Sequence, residues 1–207
     1  LGPNNIDWLL TLYGLPLTEW AWWNSSWAYR KQITIKNNNL TQTLESGYSI
    51  NLTFNHSQLV QQGKSLANGT DIRIVFNDTS ELDLQNTSLF NDSNTTVWFR
   101  LQQGMSGGSS DAEHYSLYYG NPQAPSVSPN TSSIFLLYDN FDDQDCDGWL
   151  FQGSWSCANS NLESTSSGSP DPVAHRSLNH TLGSMLVSYQ ASQGGAGRPH
   201  AMLVGSR

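Results

Sequence analysis

Three aspartates at alternate positions are the first candidates for chemistry in this chain. Residues 143–148 read Asp-Gln-Asp-Cys-Asp-Gly, which fits an Asp-x-Asp-x-Asp-Gly calcium loop. In such a loop the alternate carboxylates converge on the ion, and the glycine permits the sharp turn. The acid expected at the twelfth position is absent because Ser154 stands there, and the flanks look β rather than helical. Two interpretations follow: a solvated acidic turn, or a calcium site formed by Asp143, Asp145 and Asp147.

A second acidic pattern is the segment Glu81-Leu-Asp83-Leu-Gln85-Asn86, which resembles the carboxylate strand of sandwich-fold glucanases. Those enzymes need a nucleophile and an acid on one strand face. Here Asn86 stands at the third position, so no acid partner follows. The five histidines show no ligand spacing. The sequence therefore predicts a protein without enzymatic activity and, calcium aside, without a cofactor.

The chain has two cysteines, Cys146 and Cys157. In an oxidising compartment they would most simply close one short disulfide loop, and the alternative is two free thiols. In the loop-entropy picture a bridge this local stabilises the fold by about 3 kcal/mol. Two cysteines alone are a poor metal site without further Cys or His ligands nearby, so we predict the disulfide.

Asparagines that fit the N-glycosylation pattern are far more frequent than chance predicts. The chain has 19 Asn, and 43 of its 207 residues are Ser or Thr. These counts give roughly four random matches to Asn-x-Ser/Thr, whereas eleven are present and none has Pro between. The excess predicts an exported chain that carries several covalent N-glycans. The predicted acceptors are Asn24, Asn39, Asn51, Asn55, Asn68, Asn77, Asn86, Asn91, Asn94, Asn130 and Asn179.

The bulk composition argues against several classes of partner. Charged residues make up 13% of the chain, and the net charge of −8 with a pI near 4.8 leaves no basic patch for nucleic acid. No apolar run of about 18 residues occurs, so no membrane span is predicted. Because the sequence begins at Leu1 without Met and without a signal peptide, we expect a processed, mature chain.

Alternation of apolar and polar residues predicts β-strands through much of the chain. A period of two is typical of a strand with one buried face. In these segments the acceptors Asn51, Asn55 and Asn77 fall on the outward side. Turn signals separate the strands and no long helical period appears, which predicts an all-β fold, an antiparallel β-sandwich. The alternating segments are 29–36, 48–54, 72–77, 96–101 and 113–119.

The domain organisation follows from a change of composition after the fifth predicted strand. Pro122 to Pro129, with Ser and Ala between, is typical of a linker. The roughly 75 residues beyond it are short for a complete sandwich, so we expect an incomplete second β-domain. The predicted parts are a Trp-rich N-terminal segment 1–26, a first sandwich 27–122, a linker 123–132 and a second β-domain 133–207.

The N-terminal segment is unusually rich in tryptophan. The first 27 residues hold five of the eight tryptophans. Left exposed they would form a large apolar patch, which soluble monomers avoid. One interpretation is that the segment packs on the chain's own sandwich. The other is that it packs on a neighbouring subunit, for example as a donated strand, which predicts an interface at Trp8, Trp20, Trp22 and Trp23.

One more aromatic residue has two interpretations. Trp98 lies on the opposite strand face from Val97, so it points away from the predicted core. It either fills the second face of a central strand or stacks on sugars.

Residues 27–122 resemble a family of uncharacterised extracellular domains, domain-of-unknown-function family 2341, found in archaeal and bacterial surface proteins. Order and spacing both match over roughly half of the chain. The resemblance implies a concanavalin A-like sandwich and offers no catalytic residues to carry over. The residues that carry it are Trp27-Ala-Tyr-Arg-Lys-Gln-Ile-Thr-Ile, Gly69-Thr-Asp-Ile-Arg-Ile-Val-Phe, Thr96-Val-Trp-Phe-Arg-Leu and Tyr115-Ser-Leu-Tyr-Tyr-Gly-Asn-Pro.

The family is often followed by a laminin-G-like jelly roll. The segment Tyr138-Asp-Asn-Phe-Asp-Asp, with Gly148-Trp149 and Gly153-Ser-Trp155, resembles the opening of such a domain. A complete jelly roll requires more chain than follows here, which supports the expectation of an incomplete second domain.

Together these features predict an extracellular, glycosylated structural or adhesive surface protein, such as a subunit of a cell-surface filament or sheath. Because ten of the eleven acceptors lie between residues 24 and 130, self-association is expected through residues 1–23 or 133–207. The competing prediction is a carbohydrate-binding module of a larger secreted or surface protein.

Overall fold

The computed structural model describes residues 22–164 and 172–177. The chain divides into two compact units, residues 1–138 and 139–207. The predicted all-β fold is confirmed, since strands dominate and all strand pairs of the described residues are antiparallel. Within the same residues, no helix has the length and apolarity that crossing a membrane would require. The predicted acceptor Asn179 and the predicted interface residues Trp8 and Trp20 lie outside the described residues.

The first unit consists of two antiparallel sheets. The larger has four strands in the order β1-β7-β3-β4, and the smaller has three in the order β2-β6-β5. The strands are β1 (Tyr29–Lys36), β2 (Ser49–Phe54), β3 (Arg73–Phe76), β4 (Ser80–Leu82), β5 (Gln85–Asn86), β6 (Thr95–Arg100) and β7 (Ser110–Tyr119). Two short helices accompany them, α1 (His56–Gln61) and α2 (Thr131–Ile134).

The core lies between the two sheets, where apolar residues of alternate positions meet. Burying such side chains yields about 25 cal/mol per Å² of apolar area, the main driving force for this packing. The alternation also sets which face of β2 points to the core, because Leu52 and Phe54 pack on the core while Asn51 is exposed. The core residues include Ile33, Ile74, Tyr115 and Leu117 of the larger sheet and Val97 and Phe99 of the smaller.

Strand β7 is buried on both faces. The alternation predicts one buried face with Tyr115, Leu117 and Tyr119, and all three are indeed buried. Ser116 and Tyr118 on the other face are buried as well, at 2% and 0% exposed. The strand lies between β1 and β3, and Trp27, Val75 and Tyr118 form a second apolar cluster on its outer side.

Residues 123–138, which include the predicted linker, pack within the first unit. Arg73 Nη2 donates to the carbonyl of Pro125 at 2.9 Å, and Ala124 packs against the second apolar cluster. Ile134 of α2 is 1% exposed. The division between the units therefore falls at residues 138–139, six residues beyond the predicted end of the linker.

The second unit, in its described residues, has two small antiparallel ladders. Strand β8 (Leu150–Gln152) pairs with β11 (Val173–His175), and β9 (Trp155–Ala158) pairs with β10 (Asn161–Ser164). Cys146 and Cys157 form a disulfide, as predicted.

Candidate functional site

The predicted glycan acceptors lie on the surface of the first unit. Ten of the eleven fall within the described residues, and eight of those ten are exposed. Asn24 and Asn86 are half-buried. Exposure of the carboxamide is the first requirement for attaching a glycan, and these eight positions meet it. The exposed acceptors are Asn39, Asn51, Asn55, Asn68, Asn77, Asn91, Asn94 and Asn130.

In four acceptor motifs the hydroxyl two residues on donates to the asparagine carboxamide oxygen. This is the local turn that asparagine favours in loops, and it accounts for the pairing of Asn with Ser or Thr at these sites. At Asn55, Asn68 and Asn130 the carboxamide nitrogen, which would carry the sugar, makes no hydrogen bond to any described residue. The four pairs are Asn39–Thr41 at 3.2 Å, Asn55–Ser57 at 2.9 Å, Asn68–Thr70 at 2.9 Å and Asn130–Ser132 at 2.7 Å.

Other acceptors occupy positions that favour asparagine for backbone reasons. Asn77 and Asn91 have φ angles of 53° and 60°, a left-handed conformation that asparagine tolerates better than most residues. Asn55 caps helix α1 by accepting the backbone N–H of Gln58 at 2.9 Å. A structural role and an acceptor role are compatible here, because each uses the carboxamide oxygen or the backbone and leaves the carboxamide nitrogen free.

The outer face of the smaller sheet combines acceptor residues with an aromatic ring. We call this surface the acceptor face; it comprises Ser49, Asn51, Thr53, Thr96, Trp98, Arg100 and Gln85. Thr53, which completes the Asn51 motif, pairs with Thr96, which completes the Asn94 motif, and their hydroxyl oxygens are 2.8 Å apart. The strand register thus brings two acceptor motifs that are distant in sequence side by side.

Trp98 lies at the centre of the acceptor face. It pairs with Asn51 of β2 on one side and with Gln85 of β5 on the other. Its indole N–H donates to Thr87 Oγ1 at 3.1 Å, and the ring of Phe135 packs against it at 5.7 Å. Trp98 is only half-buried, so it covers the outer face of a central strand and keeps part of its ring accessible.

One end of the acceptor face is covered by the segment around helix α2. Arg100 donates to the carbonyl oxygens of Gly47 and Ser133 at 2.9 and 3.2 Å, and Ser49 donates to the carbonyl of Ile134. The ring of Phe135 continues this cover over Trp98. The opposite end, at the Thr53–Thr96 pair, carries small polar side chains only.

The outer face of the larger sheet holds an aromatic and cationic cluster. No acceptor lies in the strands of this sheet, and Asn24 directly follows Trp23 of the cluster. The rings of Trp22 and Trp23 pack edge-on against Tyr118 at 5.4 and 5.6 Å, and the Arg30 guanidinium lies 5.4 Å from the Trp22 ring. Asp78 joins the cluster by pairing with Arg30 at 3.0 Å. Of the predicted interface residues, Trp23 is therefore half-buried on the chain's own sandwich, whereas Trp22 stays 43% exposed.

A buried polar network brings together serine, histidine and aspartate side chains. His56 Nδ1 accepts the backbone N–H of Asn91 at 2.8 Å, so the proton lies on Nε2, which donates to Ser65 Oγ at 3.0 Å. Ser65 in turn donates to Asp71 Oδ1 at 2.9 Å. A hydrolase would require the serine to donate to the histidine. His56 and Asp71 are also 0% exposed, so the network acts structurally.

Glu81 and Asp83, the two acids of the glucanase-like segment, line a cleft of about 500 Å³ in the first unit. Glu81 pairs with Arg73 Nε at 2.7 Å. Asp83 accepts the backbone N–H of Asn130 at 3.1 Å and the hydroxyl of Ser133 at 2.6 Å. Both carboxylates thus have structural partners. Asp83 holds Asn130, which precedes helix α2, and Ser133 within that helix against the first unit.

The acidic loop of the second unit forms a series of tight turns. Asp143 accepts the backbone N–H of Asp145 at 3.0 Å, and Asp145 accepts that of Asp147 at 2.9 Å. All three aspartates are exposed. Across residues 22–164 and 172–177, no three His, Cys, Asp or Glu side chains are grouped closely enough to hold a metal ion. These contacts form tight acidic turns, and the calcium site stays a prediction that they do not test.

Sequence reasoning missed the structural role of Asp71. The residue occurs in the Gly69-Thr-Asp motif, and a charged residue at the start of an apolar strand was the available signal. Its carboxylate also accepts the backbone N–H groups of Leu66 and Gly120 at 3.0 and 2.7 Å. A buried carboxylate with several donors binds chain segments together, which sequence spacing alone does not show.

These features define an all-β protein with a two-sheet first unit and a surface rich in acceptor asparagines. A family model described as "Domain of unknown function (DUF2341)" matches residues 68–158. The match supports the resemblance to this uncharacterised family and extends into the second unit, while the predicted jelly-roll continuation is matched by no family model. No curated protein and no solved structure matches the chain.

Proposed function

We propose that this chain is part of an extracellular, glycosylated structural or adhesive surface protein, such as a subunit of a cell-surface filament or sheath. The observation that carries the proposal is the asymmetry of the first unit. Eight acceptor asparagines are exposed, and Asn51 stands on the outer face of the smaller sheet. The outer face of the larger sheet carries Trp22, Trp23 and Tyr118 and no acceptor in its strands.

A glycan-coated surface is poor ground for a wide protein interface, because the sugars hold water and exclude a partner. The aromatic cluster has the composition of an interface centre, where Trp, Tyr and Arg are enriched. Trp22 is 43% exposed and is contacted by Arg30. The proposed arrangement is therefore glycans facing solvent and a subunit contact that includes Trp22 and the residues before it.

Glycosylation is tested by mass spectrometry of glycopeptides from the native protein. We expect sugars on most of the eight exposed acceptors and lower occupancy at the half-buried Asn86. Unmodified peptides at every acceptor would overturn the proposal, because the excess of motifs would then have no function.

Assembly is tested by deleting residues 1–23, with the point variant Trp22→Gln beside it. We expect both variants to lose the native oligomer or fibre in electron microscopy and in sedimentation. Leu40→Gln is the matched control, because Leu40 is 79% exposed and lies in a loop outside the aromatic cluster. If the deletion variant still forms the same assembly, the subunit contact lies elsewhere.

A carbohydrate-binding module is the second candidate, favoured by one observation. Trp98, Phe135 and Tyr138 form a run of rings, with centroids 5.7 and 5.3 Å apart, beside the acceptor face. Aromatic rings of this kind stack on sugars. Specific binding on a glycan array would favour the module, and absence of binding would favour the structural role.

A further inference from the structure

We propose that the first sugar of the glycan on Asn51 packs against the indole ring of Trp98. Trp98 would then be a built-in docking residue for the chain's own glycan. The inference rests on the proposed glycosylation and adds a site and a structural role to one particular glycan.

The register of the smaller sheet carries the proposal. Asn51 and Trp98 are directly opposite each other in the antiparallel pair of β2 and β6. Their neighbours Leu52 and Val97 belong to the core side, so Asn51 and Trp98 both face outward. Directly opposed residues have Cβ atoms about 4.5–5.5 Å apart. A sugar on the Asn51 carboxamide nitrogen therefore begins within reach of the indole.

The chemistry of the two groups is complementary. A pyranose presents C–H groups on its ring faces, and indole is the largest apolar surface a side chain offers for such contact. The indole N–H is already satisfied by Thr87, so the ring is held in place and offers its apolar surface. Trp98 is half-buried with Phe135 on one side, which leaves an apolar ring partly in water until something covers it.

The neighbouring positions leave room for the sugar. Thr53 and Thr96 bond each other at 2.8 Å and rise little above the sheet. Arg100, on the other side of Trp98 along β6, is held away by the carbonyl oxygens of Gly47 and Ser133. No carboxylate stands among the seven residues of the acceptor face, and Arg100 is their single charged member.

The other acceptors of the described residues lack this arrangement. Only Asn51 and Asn86 among them lie in strands, and the partner of Asn86 is the buried Val97. The remaining acceptors lie in turns, loops or caps. The proposal is thus specific to one glycan, which makes it testable against the rest.

The experiment is a double-mutant cycle on the full, glycosylated chain, combining Trp98→Thr with Asn51→Gln. Thermal unfolding is measured for the four proteins, and glycopeptide mass spectrometry reports occupancy at every acceptor. We expect Trp98→Thr to lower the melting temperature by about 3 °C more when Asn51 carries its glycan than in the Asn51→Gln background. Trp98→Phe should retain most of the coupling because a ring remains.

A matched control cycle combines Trp98→Thr with Asn39→Gln, since Asn39 lies in a loop and, among the described residues, bonds only its own loop residues and Gly108. We expect no coupling there. Nuclear Overhauser effects between the Trp98 ring protons and the first sugar give a direct reading that does not depend on stability.

The outcomes separate this inference from the proposed function. An occupied Asn51 with no coupling and no ring-to-sugar contact overturns the inference and leaves the glycosylated surface intact. An unoccupied Asn51 beside other occupied acceptors does the same. Only a chain without sugar at any acceptor overturns both.

Discussion

The carboxylate of Asp71 accepts the backbone N–H of Gly120 at 2.7 Å across 49 residues of sequence. The same carboxylate accepts from Leu66 and Ser65, and the Asp71 carbonyl accepts the indole N–H of Trp27 at 2.7 Å. One buried residue thus ties the end of β7, the loop before β3 and the segment before β1 into a single cluster. Asp71 and Gly120 lie within residues 68–158, which the family model matches.

Replacing Asp71 with Asn should destabilise the first unit. The variant keeps the shape but exchanges one acceptor oxygen for an NH₂ group, which then faces either the Gly120 N–H or the Leu66 N–H. Leaving such buried donors unsatisfied costs about 3 kcal/mol. The free energy of unfolding from urea titration measures the effect. Asp147→Asn is the control, because Asp147 is exposed and should give a change close to zero.

The stability of the first unit should fall as the pH falls below the ordinary histidine pKa of about 6.5. Burial lowers the pKa of His56, against a smaller opposing effect of the Asp71 carboxylate. The unfolded chain therefore binds a proton on this residue in a pH range where the folded chain does not. Stability from this source is complete above the ordinary pKa and is lost as the pH drops toward the lowered one.

The measurement is urea unfolding at about pH 7.5 and about pH 5. His56→Gln should reduce the difference between the two pH values, although it also lowers stability at both. His175→Gln is the control, because His175 is exposed. An undiminished pH dependence in His56→Gln would show that other groups cause it.

Gly120→Ala should destabilise the chain more than Gly63→Ala does. Both glycines have positive φ angles, 89° and 66°, so both variants are destabilised by holding an alanine in a left-handed backbone conformation. A Cβ on Gly120 would also lie 3.1 Å from the carbonyl oxygen of Lys64 and against the Tyr29 ring, whereas one on Gly63 meets nothing within 4 Å. We expect about 1 kcal/mol for Gly63→Ala and at least twice that for Gly120→Ala, from urea titration. Equal losses would mean that Tyr29 moves aside at no cost.

Removing the disulfide should weaken the second unit and leave the first unchanged. Cys146 and Cys157 are 11 residues apart, and their bond joins the acidic loop to strand β9. Loop closure of this length contributes about 3 kcal/mol. In Cys146→Ser with Cys157→Ser, amide hydrogen exchange should become faster in β9 and β10 while β6 and β7 keep their protection. Faster exchange in β7 would instead show that the two units unfold together.

The sequence predicts a structural feature well when residues close together in the chain determine it, and poorly when distant residues do. The strand over 29–36 and the outward position of Asn51 were predicted from a period of two, which a few neighbouring residues suffice to set. Helix α1 was missed, because six residues are too short to show a period. The segment 81–86, which resembled one carboxylate strand, is divided between β4 and β5. The second buried face of β7 was also missed, since it depends on which residues cover the sheet.

The same limit applies to the prediction of function, as the glucanase-like segment shows. The pattern around Glu81 and Asp83 suggested a carboxylate strand, and the sequence argued against it only through the missing third acid. The structure adds that Arg73 and the residues around helix α2 occupy both carboxylates. Those partners are distant in sequence, so no spacing rule pointed to them.

The sequence by itself determined the all-β character, the disulfide and the outward side of Asn51, Asn55 and Asn77. Each follows from local chemistry: side chains alternate along a strand, and an eleven-residue separation brings the cysteines within easy reach. Only the tertiary structure decided that Asn51 faces Trp98 and that Asp71 bonds Gly120. Pairing between distant strands depends on the packing of the whole core, because a register is selected by all the side chains it buries together.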